Sequence, residues 1–335
     1  MTLPKKHDRS RSLTLLGLLA LISSAGSGLL ALLMLASPWL ASTVAPDEAA
    51  TVQIDMRSAA IQAFLFLSAA AALALMGFGS LRFRRWVRPL MLVFAWTWLL
   101  TGLAVMAFLF ASLETIVAAS SAEPLPPAMA MFVKAFVVTV MAVGWVLLPL
   151  VFVLGYTSKK IAETCAHHHP SPCWTDRCPT PVLGLSLGFA AGAYLAPVGA
   201  VYGVVPFFGW MLGGTPALLL HIAGAATCLY LAWATYRRRP DGWWGSLLLL
   251  TLLGVSVALT LLRVGATGMY AAFGYPEAQL EALRGIEPVL NRFGLWMTAA
   301  MTAGSALYLW VLRKGFGVGL PGDRPDPLIA RDSRV

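Results

Sequence analysis

Charge is what this chain has least of. Only 12% of its 335 residues are Asp, Glu, Lys or Arg, where a soluble domain carries about 25%. That shortage excludes a water-soluble globular enzyme. Eight stretches contain none of these four residues: 13–36, 59–79, 90–112, 135–156, 182–206, 217–236, 245–262 and 293–312. Pumps driven by protons usually keep ionisable groups inside the membrane, so their absence argues against that class. No GxxxxGK[ST] string is present, so the chain does not power transport itself. The period-2 alternation of a membrane β-barrel is missing as well.

Apolar sequence is what remains. The chain is 59% hydrophobic with a mean hydropathy of +0.76. A bilayer core roughly 30 Å thick needs about 20 apolar residues in a helix. Inside lipid every backbone amide must be paired within its own segment, so the eight stretches should be helices. The run from 182 to 236 is too long for one span, and Phe207–Pro216 reads as the turn that splits it. The expected class is an all-α polytopic membrane protein with eight transmembrane helices.

The sparse charges predict its orientation. Basic residues gather at Lys5–Arg11, Arg82–Arg88, Lys159–Arg177, Arg237–Arg239 and Arg313–Arg334. The alternate loops hold mostly acids: Asp47, Glu48, Asp55, Glu114, Glu123, Glu277, Glu281 and Glu287. By the positive-inside rule both termini lie in the cytoplasm, as expected of a protein of the cell inner (cytoplasmic) membrane. The basic N-terminus, the apolar run and Thr43-Val44-Ala45 resemble a signal peptide, but Leu13–Ala36 exceeds the roughly 7–15 residues of such a region. It is read as a retained first helix. The net charge of +9 is a topology signal with some attraction to anionic lipid. Split among five segments without an aromatic platform, it is no nucleic-acid footprint.

Two four-helix halves are expected, 1–156 and 182–314, around a Cys/His-rich cytoplasmic loop at 157–181 and before a disordered tail at 315–335. Aligning Ala63–Arg85 with Ala217–Arg239 gives eight identities in 23 positions. A tandem duplication and a shared composition both account for that. In the fifth span Gly184, Gly188 and Gly192 share one helical face, which favours close packing; a broken helix lining a substrate path is the other reading. Residues 120–128 read as an extended Pro-rich connector. Between the last two spans, Pro276–Gly285 reads as a short amphipathic helix on the membrane surface, with Gly285 ending it.

Three patterns bear on chemistry. Gly184-Leu185-Ser186-Leu187-Gly188 matches G-x-S-x-G, but that motif works on a strand-to-helix turn. Here it lies in an apolar helix, and His221, the one histidine of the spans, belongs near the opposite membrane face. Intramembrane haem held by two histidines fails for want of a second one. The dense pattern is the inter-half loop, where three of the four cysteines and three of the five histidines fall together. Cys165, His167, His168, Cys173 and Cys178 form a candidate ligand set for zinc, with a solvated polar loop as the alternative. With the opposite orientation, a Cys173–Cys178 disulfide replaces the zinc reading.

These features point away from an enzyme. The leading expectation is a scaffold or accessory subunit of a membrane complex, with the lipid bilayer and other membrane proteins as partners. The alternative is a permease or facilitator for a neutral or lipid-like small molecule.

Overall fold

The computed structural model describes residues 10–44, 56–119 and 126–318. Eight of its helical segments are long and apolar enough to cross a membrane. Seven are α1 (Ser10–Val44), α2 (Met56–Leu81), α3 (Val87–Ala119), α7 (Thr180–Val201), α8 (Gly214–Tyr236), α9 (Pro240–Arg263) and α11 (Glu277–Leu312). The remaining one is α4 (Pro127–Ala142), which passes through a wide turn at Val143–Leu147 into α5 (Leu148–Thr157). Shorter helices α6 (Lys159–His168) and α10 (Gly265–Ala272) complete the set. The chain is an all-α polytopic membrane protein. Its described residues form two compact units. One comprises those up to Ala107 together with Met131–Arg177; the other comprises Phe108–Ala130 and those from Cys178 onward.

In the first unit α1 and α2 touch backbone to backbone. A Cβ on Gly77 would sit 3.0 Å from the Gly17 carbonyl oxygen, and one on Gly17 3.1 Å from that of Gly77. Small residues permit this approach where lipid removes the hydrophobic drive between helices. Ser24 adds a hydrogen bond to the Ala70 carbonyl at 2.7 Å. The core lies toward the Arg-rich end, around Leu13, Leu73, Met91, Phe152 and Tyr156. The wide turn in the fourth span has a local cause. Pro149 offers no N–H to the Trp145 carbonyl, and its ring pushes that carbonyl outward. The five-residue π turn absorbs the displacement. The freed carbonyl leans on Gly102, where any Cβ would strike it. A side chain there should cost about 1–3 kcal/mol or more.

The same helical corner is built once in each unit. At the end of α2, the Phe83 N–H reaches the Ser80 carbonyl at 3.0 Å and the Arg84 N–H reaches that of Gly79 at 2.9 Å. At the end of α8, the Arg238 N–H reaches Thr235 at 2.9 Å and the Arg239 N–H reaches Ala234 at 3.0 Å. Both are Schellman closures, with Phe83 and Arg238 each at φ 55°. A side-chain N–H in the first turn of the next helix then ties each corner to a carbonyl near the end of the last span. Arg88 donates to Tyr156 at 3.0 Å, and Trp243 donates to Leu309 at 2.7 Å. The corners match at an offset one residue longer than the sequence alignment, pairing Arg238 with Phe83 rather than with Arg84.

The second unit departs from the sequence expectations in four places. First, the turn expected at Phe207–Pro216 is a β-hairpin. Strand β1 (Val204–Phe207) pairs antiparallel with β2 (Trp210–Gly213), so α7 ends at Val201 and Pro206 lies in a strand. Second, the helix expected to stop at Gly285 does not stop. Pro276 stands at the N-cap, one residue before the first turn, and α11 continues unbroken through Gly285 and Pro288. An interior glycine weakens a helix by only about 1 kcal/mol, which does not force a stop. Third, the Gly184/Gly188/Gly192 face of α7 is packed only in part: a Cβ on Gly188 would meet nothing within 4 Å, whereas one on Gly192 would lie 3.4 Å from Cys228 Sγ. Gly199 is the position of close approach, where a Cβ would lie 2.7 Å from His221 Nε2. Fourth, the expected tail begins later than 315. Residues 313–316 form a turn and Phe316 is buried against Val182 and Leu309. The rest of the tail (319–335) and most of the 120–128 connector lie outside the described residues.

Candidate functional site

The Cys/His segment is more ordered than a solvated loop. Lys159–His168 is helical, and its apolar side, Ile161 and Cys165, is buried in the core of the first unit. Lys159, Lys160 and Glu163 are exposed. The three histidines then go separate ways. His168 stacks on Phe83 with ring centroids 4.7 Å apart, while the His167 ring lies 5.7 Å from that of His168. His169 Nε2 donates to the Arg82 carbonyl at 3.0 Å.

Asp176 organises the segment that follows. Its carboxylate accepts the Cys173 N–H at 2.9 Å and pairs with Arg85 at 3.3 Å. The Cys173 thiol lies 3.0 Å from the Thr175 hydroxyl. Cys178 is buried among Val182, Trp243 and Phe316, in the core of the second unit. Burial pushes its thiol up to about 11, with Arg238 pulling weakly the other way. Burial likewise raises the Cys165 thiol, opposed by Arg88 and Arg85. Among the described residues no three His, Cys, Asp or Glu side chains gather as a metal ion requires. For Cys165, His167, His168, Cys173 and Cys178 to act together, Cys165 and Cys178 would each have to leave a core.

The intramembrane Ser and His are spoken for separately. Ser186 donates to the Ala232 carbonyl at 2.7 Å, crossing to α8 rather than bonding its own helix. His221 donates through Nδ1 to the Ala217 carbonyl at 2.8 Å. Other hydroxyls inside the spans also end on carbonyls. Ser23, Thr97, Thr260, Thr298 and Thr302 each donate to the residue four positions earlier. Two hydroxyls of α9 hold the hairpin turn. Ser256 accepts the Phe208 N–H at 2.9 Å, and Thr260 accepts the Gly209 N–H at 3.1 Å. Phe208 (φ 46°) and Gly209 (φ 89°) both have the positive φ of a type I′ turn. Stacked on the Trp210 ring at 3.8 Å, the Arg263 guanidinium closes that end of the unit.

A groove of about 740 Å³ runs along the seam between α9 and α11. Thr251, Gly254, Val255 and Ala258 line one wall. The other is made by Arg292, Leu295, Trp296, Thr298, Ala299, Thr302, Ala303 and Ala306. Its floor closes where Thr302 presses on Gly254, which has no Cβ to obstruct it. Arg292 is the one ionisable residue of the lining and stands at one end. The groove went unread in the sequence. Its available signal was a pair of small-residue repeats, Gly254/Ala258 and Ala299/Ala303, each four apart and on different spans.

Comparison with protein families, with curated proteins and with solved structures finds no match for this chain.

Proposed function

We propose that this chain is a non-enzymatic component of the cytoplasmic membrane, a scaffold or accessory subunit of a larger complex, with both termini in the cytoplasm. One observation carries the reading: many of the polar groups of the spans, the histidine included, serve the fold. Ser24 and Ser186 bridge helices, while His221, Thr97, Thr298 and Thr302 bond their own. A translocation path needs polar groups turned toward a solute, and a reaction needs a nucleophile and base in reach of each other. Support for the orientation comes from the alternation of basic and acidic loops. The groove between α9 and α11 favours a second reading, a facilitator for a lipid-like molecule.

Extraction of native membranes into lipid nanodiscs, followed by quantitative mass spectrometry, separates the two. A scaffold or accessory subunit co-purifies with a partner at fixed stoichiometry. Recovery of the chain alone, together with accelerated lipid movement in reconstituted vesicles, would replace the first reading with the second.

A further inference from the structure

We propose that the groove between α9 and α11 is a binding site for one anionic phospholipid, with an acyl chain along the seam and the phosphate on Arg292. The proposal stands whether or not the chain has a protein partner.

Shape is the first support. α9 and α11 touch along the seam, through Gly254 with Thr302 under the groove and through Gly294 with Leu261. A furrow between two touching helices admits an extended chain. It does not admit a third helix, whose diameter with side chains is about 10 Å. Its volume of about 740 Å³ lies within the roughly 300–1,000 Å³ of small-molecule sites.

Length is the second. Arg292 and Ala306 mark the two ends of the groove on α11. At 1.5 Å per residue they are about 21 Å apart along the helix. Half of a bilayer core is about 15 Å, so the groove spans the acyl depth of a whole leaflet.

Chemical polarity is the third. The hydroxyls of Thr298 and Thr302 donate to carbonyls of their own helix at 2.7 and 2.8 Å, so neither donor is left for a solute. Arg292 alone brings charge, at the edge of the apolar span. Its neighbour Arg284 is paired with Glu277 and Glu281. Arg292 has no hydrogen bond or ion pair among the described residues, so its charge is open to an anion. The Trp296 ring, one turn deeper and 72% exposed, suits the glycerol level where aromatic rings collect. A cation at the interface above an apolar furrow complements a phosphate above an acyl chain. A guanidinium also takes phosphate oxygens in bidentate geometry.

Native mass spectrometry of the full-length protein in non-ionic detergent tests this. Phosphatidylglycerol and phosphatidylcholine of identical chains are the probes, with inorganic phosphate as competitor. One phosphatidylglycerol per chain should be retained at concentrations where phosphatidylcholine is not. Arg292→Gln should weaken that retention about fivefold, the effect of one basic residue at an anionic surface. Arg292→Lys should restore most of it. Ala303→Trp, which fills the furrow, should abolish binding of both lipids, while unchanged thermal unfolding shows that the variant is folded. Should Ala303→Trp not fold, the Gln and Lys variants decide alone. Equal retention of the two lipids, or no effect of Arg292→Gln, would overturn the proposal. So would displacement by millimolar phosphate, which would make Arg292 a site for free anions. Capture of a protein segment by a photo-crosslinker at Ala303 would assign the groove to a partner helix.

Discussion

At the scale of single residues, the cysteines carry the sharpest consequence. Cys165 and Cys178 each belong to a core, whereas Cys173 is half-buried beside Asp176. Maleimide labelling of the native protein at pH 8 should therefore modify Cys173 first and spare the other two until the protein unfolds. The pH dependence follows from the raised thiol of Cys178. Burial lifts it from its ordinary 9.0 to about 11, so the native state holds that proton more tightly than the unfolded chain does. Its contribution to stability is whole below about pH 9 and is lost as pH rises through 11. Thermal unfolding should show this loss in the wild type, and Cys178→Ala should lack that part of it. Rapid labelling of Cys178 at pH 8 would contradict its burial and return the segment to the metal-binding reading.

At the scale of elements, the eight spans were legible because lipid leaves the backbone no choice. Length and lack of charge were sufficient evidence there. What escaped were features decided by contact between distant positions. The hairpin at Val204–Gly213 depends on Ser256 and Thr260, some 50 residues away, to receive its turn amides. Local reading found a Gly-rich turn and could find no more. The Cys/His segment was misread as a loop because its Lys, Glu and His content hid two apolar positions, Ile161 and Cys165, on one side of a helix. Gly285 has the residue type of a helix stop, but a single interior glycine costs too little to end α11 there.

The continuity of α11 can be checked directly. It should reach about 54 Å from its 36 residues, well beyond a core of roughly 30 Å. Its first turns should then project past the membrane. Nitroxide scanning from Glu277 to Arg292 should give accessibility with a 3.6-residue period that does not lose phase at Gly285 or Pro288. A break in phase at Gly285 would restore the short surface helix.

At the scale of the whole molecule, each unit repeats one construction without repeating its residues. The corner at Phe83 and that at Arg238 close with the same pair of backbone bonds. Arg88 ties one and Trp243 ties the other. A shared backbone geometry met by different side chains explains why sequence identity between the halves is weak outside Ala, Leu and the paired arginines. The candidate metal ligands stand close in sequence, but among the described residues no three of them gather in space.

Eight crossings are the centre of this account, and an even number of them between the two corners predicts that both corners face one side of the membrane. Single cysteines placed in a cysteine-free background test that most directly. Arg84→Cys, Lys159→Cys, Arg237→Cys and Lys314→Cys should all react with a membrane-impermeant thiol reagent from one side only. Pro126→Cys and Glu281→Cys should react only from the other. If Arg84→Cys and Arg237→Cys were labelled from opposite sides, the number of crossings between the corners would be odd and the eight-span architecture would be wrong.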